Sequence, residues 1–175
     1  MTSLTMVAEL MEIAARTAPK AKGDDFIVVR TLEGAQLREL GQGMIEYGRR
    51  RGKDNFDRDG ENVLASQAVV LIGLKDAAVC DLDCGACGAD VCIETNTHDG
   101  EFRGPSCAIR LLDLGIALGS AVKTAGILNV DNRIMYRAGV VARQLGLIEA
   151  DVVMGVPLSA SGKSIYFDRP VKPSK

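Results

Sequence analysis

A chain of 175 residues is long enough for one domain with a full core and short for two. With 47% apolar residues, 25% charged residues and a formal net charge of −2, it has the balance of an ordinary soluble globular protein, and nothing in it calls for a nucleic acid or a membrane surface. The longest apolar stretch, from Ile109 to Val130, is broken by Arg110, Asp113 and Lys123 and falls short of the roughly 20 uncharged residues of a membrane span.

Residues 4–18 place Val7, Leu10, Met11, Ala14, Ala15 and Ala18 at helical spacing, and Pro19 with Gly23 ends the run. Glu9 and Glu12 interrupt what would have to be the apolar region of a signal peptide, so the expected location is the cytoplasm. Phe26–Arg30 is short, β-branched and apolar, and reads as a buried strand. From Gly34 to Arg50 a second amphipathic helix carries Leu37, Leu40, Met44, Ile45 and Tyr47, and closes in Arg49, Arg50, Arg51 and Lys53. That basic run complements the negative end of a helix and reads as a solvated face. A short helix is expected over Asp57–Ser66 and a second buried strand over Ala68–Gly73.

All five cysteines then fall in one stretch, Cys80-x3-Cys84-x2-Cys87-x4-Cys92-x14-Cys107. An odd count in a chain of this size without an export signal argues against disulfides and for metal or cluster ligation in a reducing compartment. Four thiolates complete the iron coordination of a cubane, and a tight C-x2-C-x4-C run can wrap three corners while a distant cysteine closes the fourth. The preferred ligands are Cys84, Cys87, Cys92 and Cys107, with Cys80 as a spare or alternative fourth. Gly85 and Gly88 allow the sharp bends. Zinc is the competing reading, but its sites usually present two C-x2-4-C pairs, whereas only one C-x2-C pair occurs here and the third cysteine sits beyond a four-residue gap. His98, between Thr97 and Asp99, reads as a solvated turn residue, and Asp81, Asp83 and Asp90 surround the site with negative charge. The radical S-adenosylmethionine spacing of the first three cysteines meets a chain too short for the barrel that chemistry uses. Gly162-Lys163-Ser164 lacks the glycine spacing of a P-loop.

Downstream, Ile109–Leu128 reads as a long helix lined with Gly115, Ala117, Gly119, Ser120, Ala121 and Ala125, apolar around most of its girth and therefore buried on several sides, in a core or between subunits. Asp131 is positioned to cap a further helix carrying Ile134, Ala138, Val141 and Leu145, with Gly146 as its stop. Asp151–Pro157 is a third strand and Ser164–Phe167 a fourth. The expected organisation is one domain over residues 1–175, α+β or α/β, with residues 78–108 as a cysteine-rich insertion after the second strand.

Five stretches together carry a resemblance: AARTAPKAKG (Ala14–Gly23), CGACGADVC (Cys84–Cys92), DLGIALGSAV (Asp113–Val122), DNRIMYRAG (Asp131–Gly139) and GVPLSASGKSIYFDR (Gly155–Arg169). They resemble a prokaryotic family of proteins described as containing a ferredoxin-like domain, which implies a [4Fe-4S] cluster. The last gap in related cluster modules is somewhat longer than the 14 residues here, which leaves Cys107 and Cys80 both open as the fourth ligand. The order of elements also resembles the flavin nitroreductase fold, an α+β arrangement with a mixed sheet and a long central helix. That resemblance implies FMN, with Arg16, Lys163 and Arg169 on its phosphate, and a homodimer built on the long helix. The function expected is iron-sulfur electron transfer to a redox partner protein or a small-molecule acceptor, and the alternative is a zinc- or cluster-stabilised binding or sensory module. No paired carboxylates or catalytic triad stand out, so no substrate and no turnover are assigned.

Overall fold

A computed structural model describes residues 3–167. Helix α1 (Ser3–Thr17) buries Leu4, Val7, Ala8, Met11 and Ala15, a single stripe at helical spacing. Strand β1 (Ile27–Leu32) is followed by α2 (Gly34–Arg51), which stops at Gly52 in the left-handed conformation, φ 62°. After α3 (Phe56–Leu64) comes β2 (Ala68–Leu74), whose residues are all buried. Two-residue strands β3 (His98–Asp99) and β4 (Arg103–Gly104) form a small hairpin. The long helix α4 (Ala108–Ile127), strand β5 (Asp131–Asn132), helix α5 (Tyr136–Gln144) and strand β6 (Val152–Ser159) complete the order.

The main sheet runs β1-β2-β6-β5. Every pairing in it is antiparallel, so the α+β class expected is present while the mixture of parallel and antiparallel pairs is not found among the described residues. Helices cover both faces. On one side α1 and α4 pack with Ala68, Val70, Ile72 and Leu74 of β2. On the other, α2, α3 and α5 pack with Val69 and Leu71. Successive residues of a strand point to opposite faces, so a strand covered on both sides must be apolar throughout, as β2 is. Helix α5 comes so close to β6 that a Cβ added at Gly139 would lie 1.8 Å from the Val153 carbonyl oxygen.

Two expectations change. Asp131 does not cap a helix: it pairs with Ser159 at the sheet edge, and α5 starts at Tyr136 without a side-chain cap. Ser164–Phe167 is not a strand. The chain turns there, and its apolar signal comes from Tyr166, which is fully buried with its hydroxyl 2.8 Å from Ser66 Oγ. Within the single chain, α4 is buried on one side by Leu114, Ala117, Leu118, Ala121 and Ala125, while Leu112, Ile116 and Ile127 are exposed. No helix among the described residues is long and apolar enough to cross a membrane.

Candidate metal centre

Between β2 and α4 the chain has no regular structure beyond the β3–β4 hairpin, so its course is set by turns and by polar anchors. Gly85 and Gly88 have φ of 66° and 87°, a region open to glycine at little cost, and the Gly88 amide donates to the Gly85 carbonyl at 2.9 Å. That turn carries Cys87. Asp83 closes the surrounding loop by accepting the Cys92 amide at 2.7 Å, so Cys84, Cys87 and Cys92 belong to one tight circuit. Cys107 sits at the position preceding the first turn of α4.

The outcome is a small concavity whose wall includes Cys80, Cys84, Cys87, Cys92 and Cys107. Val79, Leu82, Val91, Ile93 and Ile109 supply most of the rest of the lining. Cys80 and Cys107 are buried at the inner side, Cys84 and Cys87 are exposed at the rim, and Cys92 is intermediate. Burial pushes the Cys80 thiol up, with the Arg110 charge opposing. Burial also acts on Cys107, but backbone N–H groups of Cys80, Arg110 and Ile109 face its sulfur and bring that thiol below its ordinary range. A helix N-terminus is a place where a thiolate is favoured. Among the described residues, no three His, Cys, Asp or Glu side chains converge on a point where a single ion would sit. His98 is exposed in β3 and does not line the concavity.

Polar anchors that the sequence did not single out hold this segment in place. Asp151, buried beside the start of β6, accepts the Asp76 amide at 2.6 Å and Asn96 Nδ2 at 3.1 Å, and pairs with Arg103 at 3.5 Å. Glu101 accepts from Tyr47 at 2.8 Å, from Tyr136 at 2.5 Å and from Lys53. Burial would raise its carboxyl, but these three hydrogen bonds bring it down to about 2. Arg110 and Asp113, which in the sequence register only as interruptions of an apolar run, are buried and paired at 3.3 Å.

Of the basic residues expected around a flavin phosphate, Arg16 and Lys163 are among the described residues. Arg16 Nη1 donates to the Ile27 carbonyl and pairs with Asp25 at 3.5 Å. Ile27 is aligned with Leu74 and, through it, with Val152 at the start of β6. Lys163 is exposed and follows the other end of β6, a strand of 8 residues and so roughly 24 Å long. Arg169 lies outside the described residues.

Residues 103–169 match a family described as "uncharacterized protein containing a ferredoxin domain (DUF2148)". The matched stretch includes Cys107 and leaves the other four cysteines upstream. A protein of Archaeoglobus fulgidus, described as uncharacterized, is 51% identical over 170 residues, which make up 95% of this chain and 92% of that one. Among solved structures, the FMN-dependent nitroreductase NfnB from Mycobacterium smegmatis, in complex with NADPH, aligns with a TM-score of 0.60 at 10% identity, over 97% of this chain and 85% of that one. Nitroreductase CinD from Lactococcus lactis, in complex with nicotinic acid, aligns with a TM-score of 0.58 at 14% identity, over 98% and 91%. Identities that low carry the fold and leave the chemistry open. The fold is that of the nitroreductases, and by its likeness over nearly its whole length the chain belongs to one family with the uncharacterized archaeal protein, while its residues 103–169 match the family of proteins containing a ferredoxin domain.

Proposed function

We propose that this chain is a cytoplasmic electron-transfer protein holding one [4Fe-4S] cluster on Cys84, Cys87, Cys92 and Cys107. The observation that carries the reading is that all five cysteines of the chain line one largely apolar concavity at the N-terminus of α4. The donor set suits such a group: thiolates without histidine, walls that limit water, and glycine turns that let backbone amides approach sulfur. A zinc ion would need its thiolate ligands within about 2.3 Å of one point, hence about 3.8 Å from each other. Among the described residues no three cysteines converge on such a point, which supports the larger group. When bound, the cluster supplies one-electron chemistry.

The chain's own residues do the rest. Backbone amides of Cys80, Arg110 and Ile109 bring the Cys107 thiol below its ordinary range against the opposing effect of burial. Cys84 and Cys87, at the exposed rim, bring the centre close to the surface, where a partner protein or a small acceptor can approach. Residues 78–108 act as the cluster-binding insertion of the domain. FMN on Arg16, Lys163 and Arg169 stays a secondary proposal, and flavin carries no step in this account.

A second copy of the chain is the proposed cover for the outer face of α4. Leu112, Ile116 and Ile127 are exposed there, and a Cβ at Gly115, Gly119 or Gly126 would meet nothing within 4 Å. Met6 and Ile13 extend the apolar face onto α1. A stripe of small residues between apolar ones suits close approach of helices across a two-fold axis.

Single serine substitutions test the ligand set. Cys84→Ser, Cys87→Ser, Cys92→Ser and Cys107→Ser should each lower iron content after anaerobic reconstitution, while Cys80→Ser keeps it. Iron lost in Cys80→Ser and retained in Cys107→Ser would exchange the fourth ligand. One zinc per chain without visible absorbance would favour the alternative, a metal-stapled binding or sensory module.

A further inference from the structure

A loop with so little regular structure takes its shape from its anchors, and one of them reaches both of its ends. Arg110 lies in the first turn of α4 and is 1% exposed. A buried guanidinium needs partners for its donors and for its charge. Its Nε donates to the Ala78 carbonyl at 2.9 Å. Nη1 donates to the Ala21 carbonyl at 2.9 Å and to Asp113 at 3.3 Å, and Nη2 to Asp24 at 2.8 Å. Its plane lies over the Phe26 ring, 4.8 Å from the centroid. Ala78 immediately precedes Val79 and Cys80, and Arg110 is one turn past Cys107, so this one side chain ties the start of the cysteine segment to its end. Ala21 is held from both sides, since its amide donates to Asp113 at 2.9 Å. The next residue, Lys22, has φ 58° and extends Nζ to the Cys80 carbonyl at 3.2 Å.

We propose that Arg110 is the positioning residue of the cysteine centre: its forked hydrogen bonds set Cys80 against Cys107, and its buried charge raises the reduction potential of the group held there. The second half rests on the cluster reading given above, and the first half does not. Reduction adds negative charge to the centre, which a nearby fixed cation favours, the more so where water is excluded. The segment itself offers no such charge, because residues 76–102 contain no Lys or Arg, and Asp81, Asp83, Asp90 and Glu94 are exposed around the thiols. Asp113, buried and paired with Arg110 at 3.3 Å, and Asp24 at 2.8 Å each offset part of the Arg110 charge, Asp24 the less because it is 49% exposed and partly screened.

Three variants separate the roles. Arg110→Lys keeps a cation and loses the fork, Arg110→Gln loses both, and Asp24→Asn removes an exposed counter-charge while leaving the other Arg110 bonds. In metal-free, reduced protein, iodoacetamide labelling followed by mass spectrometry should find Cys84 and Cys87 fast in every case. Cys80 and Cys107 should label about tenfold faster in both Arg110 variants than in the parent, the scale of one lost buried hydrogen bond. Unchanged protection of Cys80 and Cys107 in Arg110→Gln overturns the positioning role. In reconstituted protein, the midpoint potential should fall in Arg110→Gln, stay near the parent value in Arg110→Lys and rise in Asp24→Asn. General structural damage has no reason to move Asp24→Asn and Arg110→Gln in opposite directions, so shifts of the same sign overturn the electrostatic role. If Arg110→Gln does not fold, Arg110→Lys and Asp24→Asn still decide both halves. Parent protein that takes up no iron fails the cluster reading and leaves the labelling result standing.

Discussion

At the scale of single residues, the centre combines thiols of opposite tendency with charged groups that reach into the segment from elsewhere in the chain. Glu101 shows how strongly the surroundings act. With three donors on its carboxylate it is held at about 2 against an ordinary value of 4.5. A carboxyl depressed in the folded state stabilises fully above its unfolded value, and that stability is lost as pH falls through the folded one. Stability should therefore decline between pH 4.5 and about 2, by about 2 kcal/mol once screening at the exposed Lys53 is allowed for. Denaturant titrations at pH 7, 4 and 3 measure this decline, and Glu101→Gln should flatten it while lowering stability at pH 7. An unaltered acid profile in that variant would remove Glu101 from the account.

At the scale of elements, periodicity made the helices and the central strand legible. Stripes such as Val7, Met11 and Ala15 in α1, and the unbroken apolar run of β2, report burial that depends mainly on local pattern. What stayed hidden depends on partners distant in sequence. Glu101 meets Tyr47 and Tyr136 across 54 and 35 positions, and Arg110 meets Ala21 across 89, which no spacing rule detects. Asp131 carries the right chemistry for a helix cap, yet an open edge of β6 pairs with its backbone instead. The cysteines were legible because their spacing is itself the signal, although nothing local foretold that Cys80 would be buried beside Cys107. The seam between α5 and β6 makes an element-level prediction. Gly139→Ala drives a methyl group into the Val153 carbonyl, a clash with backbone that cannot rotate away, and should cost about 3 kcal/mol or more by thermal or chemical denaturation. Gly115→Ala, on the open face of α4, should be neutral or slightly stabilising in the isolated chain, since alanine is the better helix former and nothing lies within 4 Å.

At the scale of the whole molecule, two helical layers enclose one sheet, and the cysteine segment is carried at the end of the sheet where β2 leads out and α4 begins. The exposed face of α4 makes the assembly testable. Ile116→Glu should turn a dimer into a monomer in sedimentation velocity at micromolar concentration, with little change in the iron content of each chain. A parent protein that sediments as a monomer would remove the second copy from the account and leave the metal centre untouched. The measurement that tests the central claim most directly is anaerobic purification followed by iron, sulfide and zinc analysis together with an absorption spectrum. The account predicts about four irons and four sulfides per chain with a broad visible absorbance that bleaches on reduction. One zinc per chain, no sulfide and no visible band would contradict it.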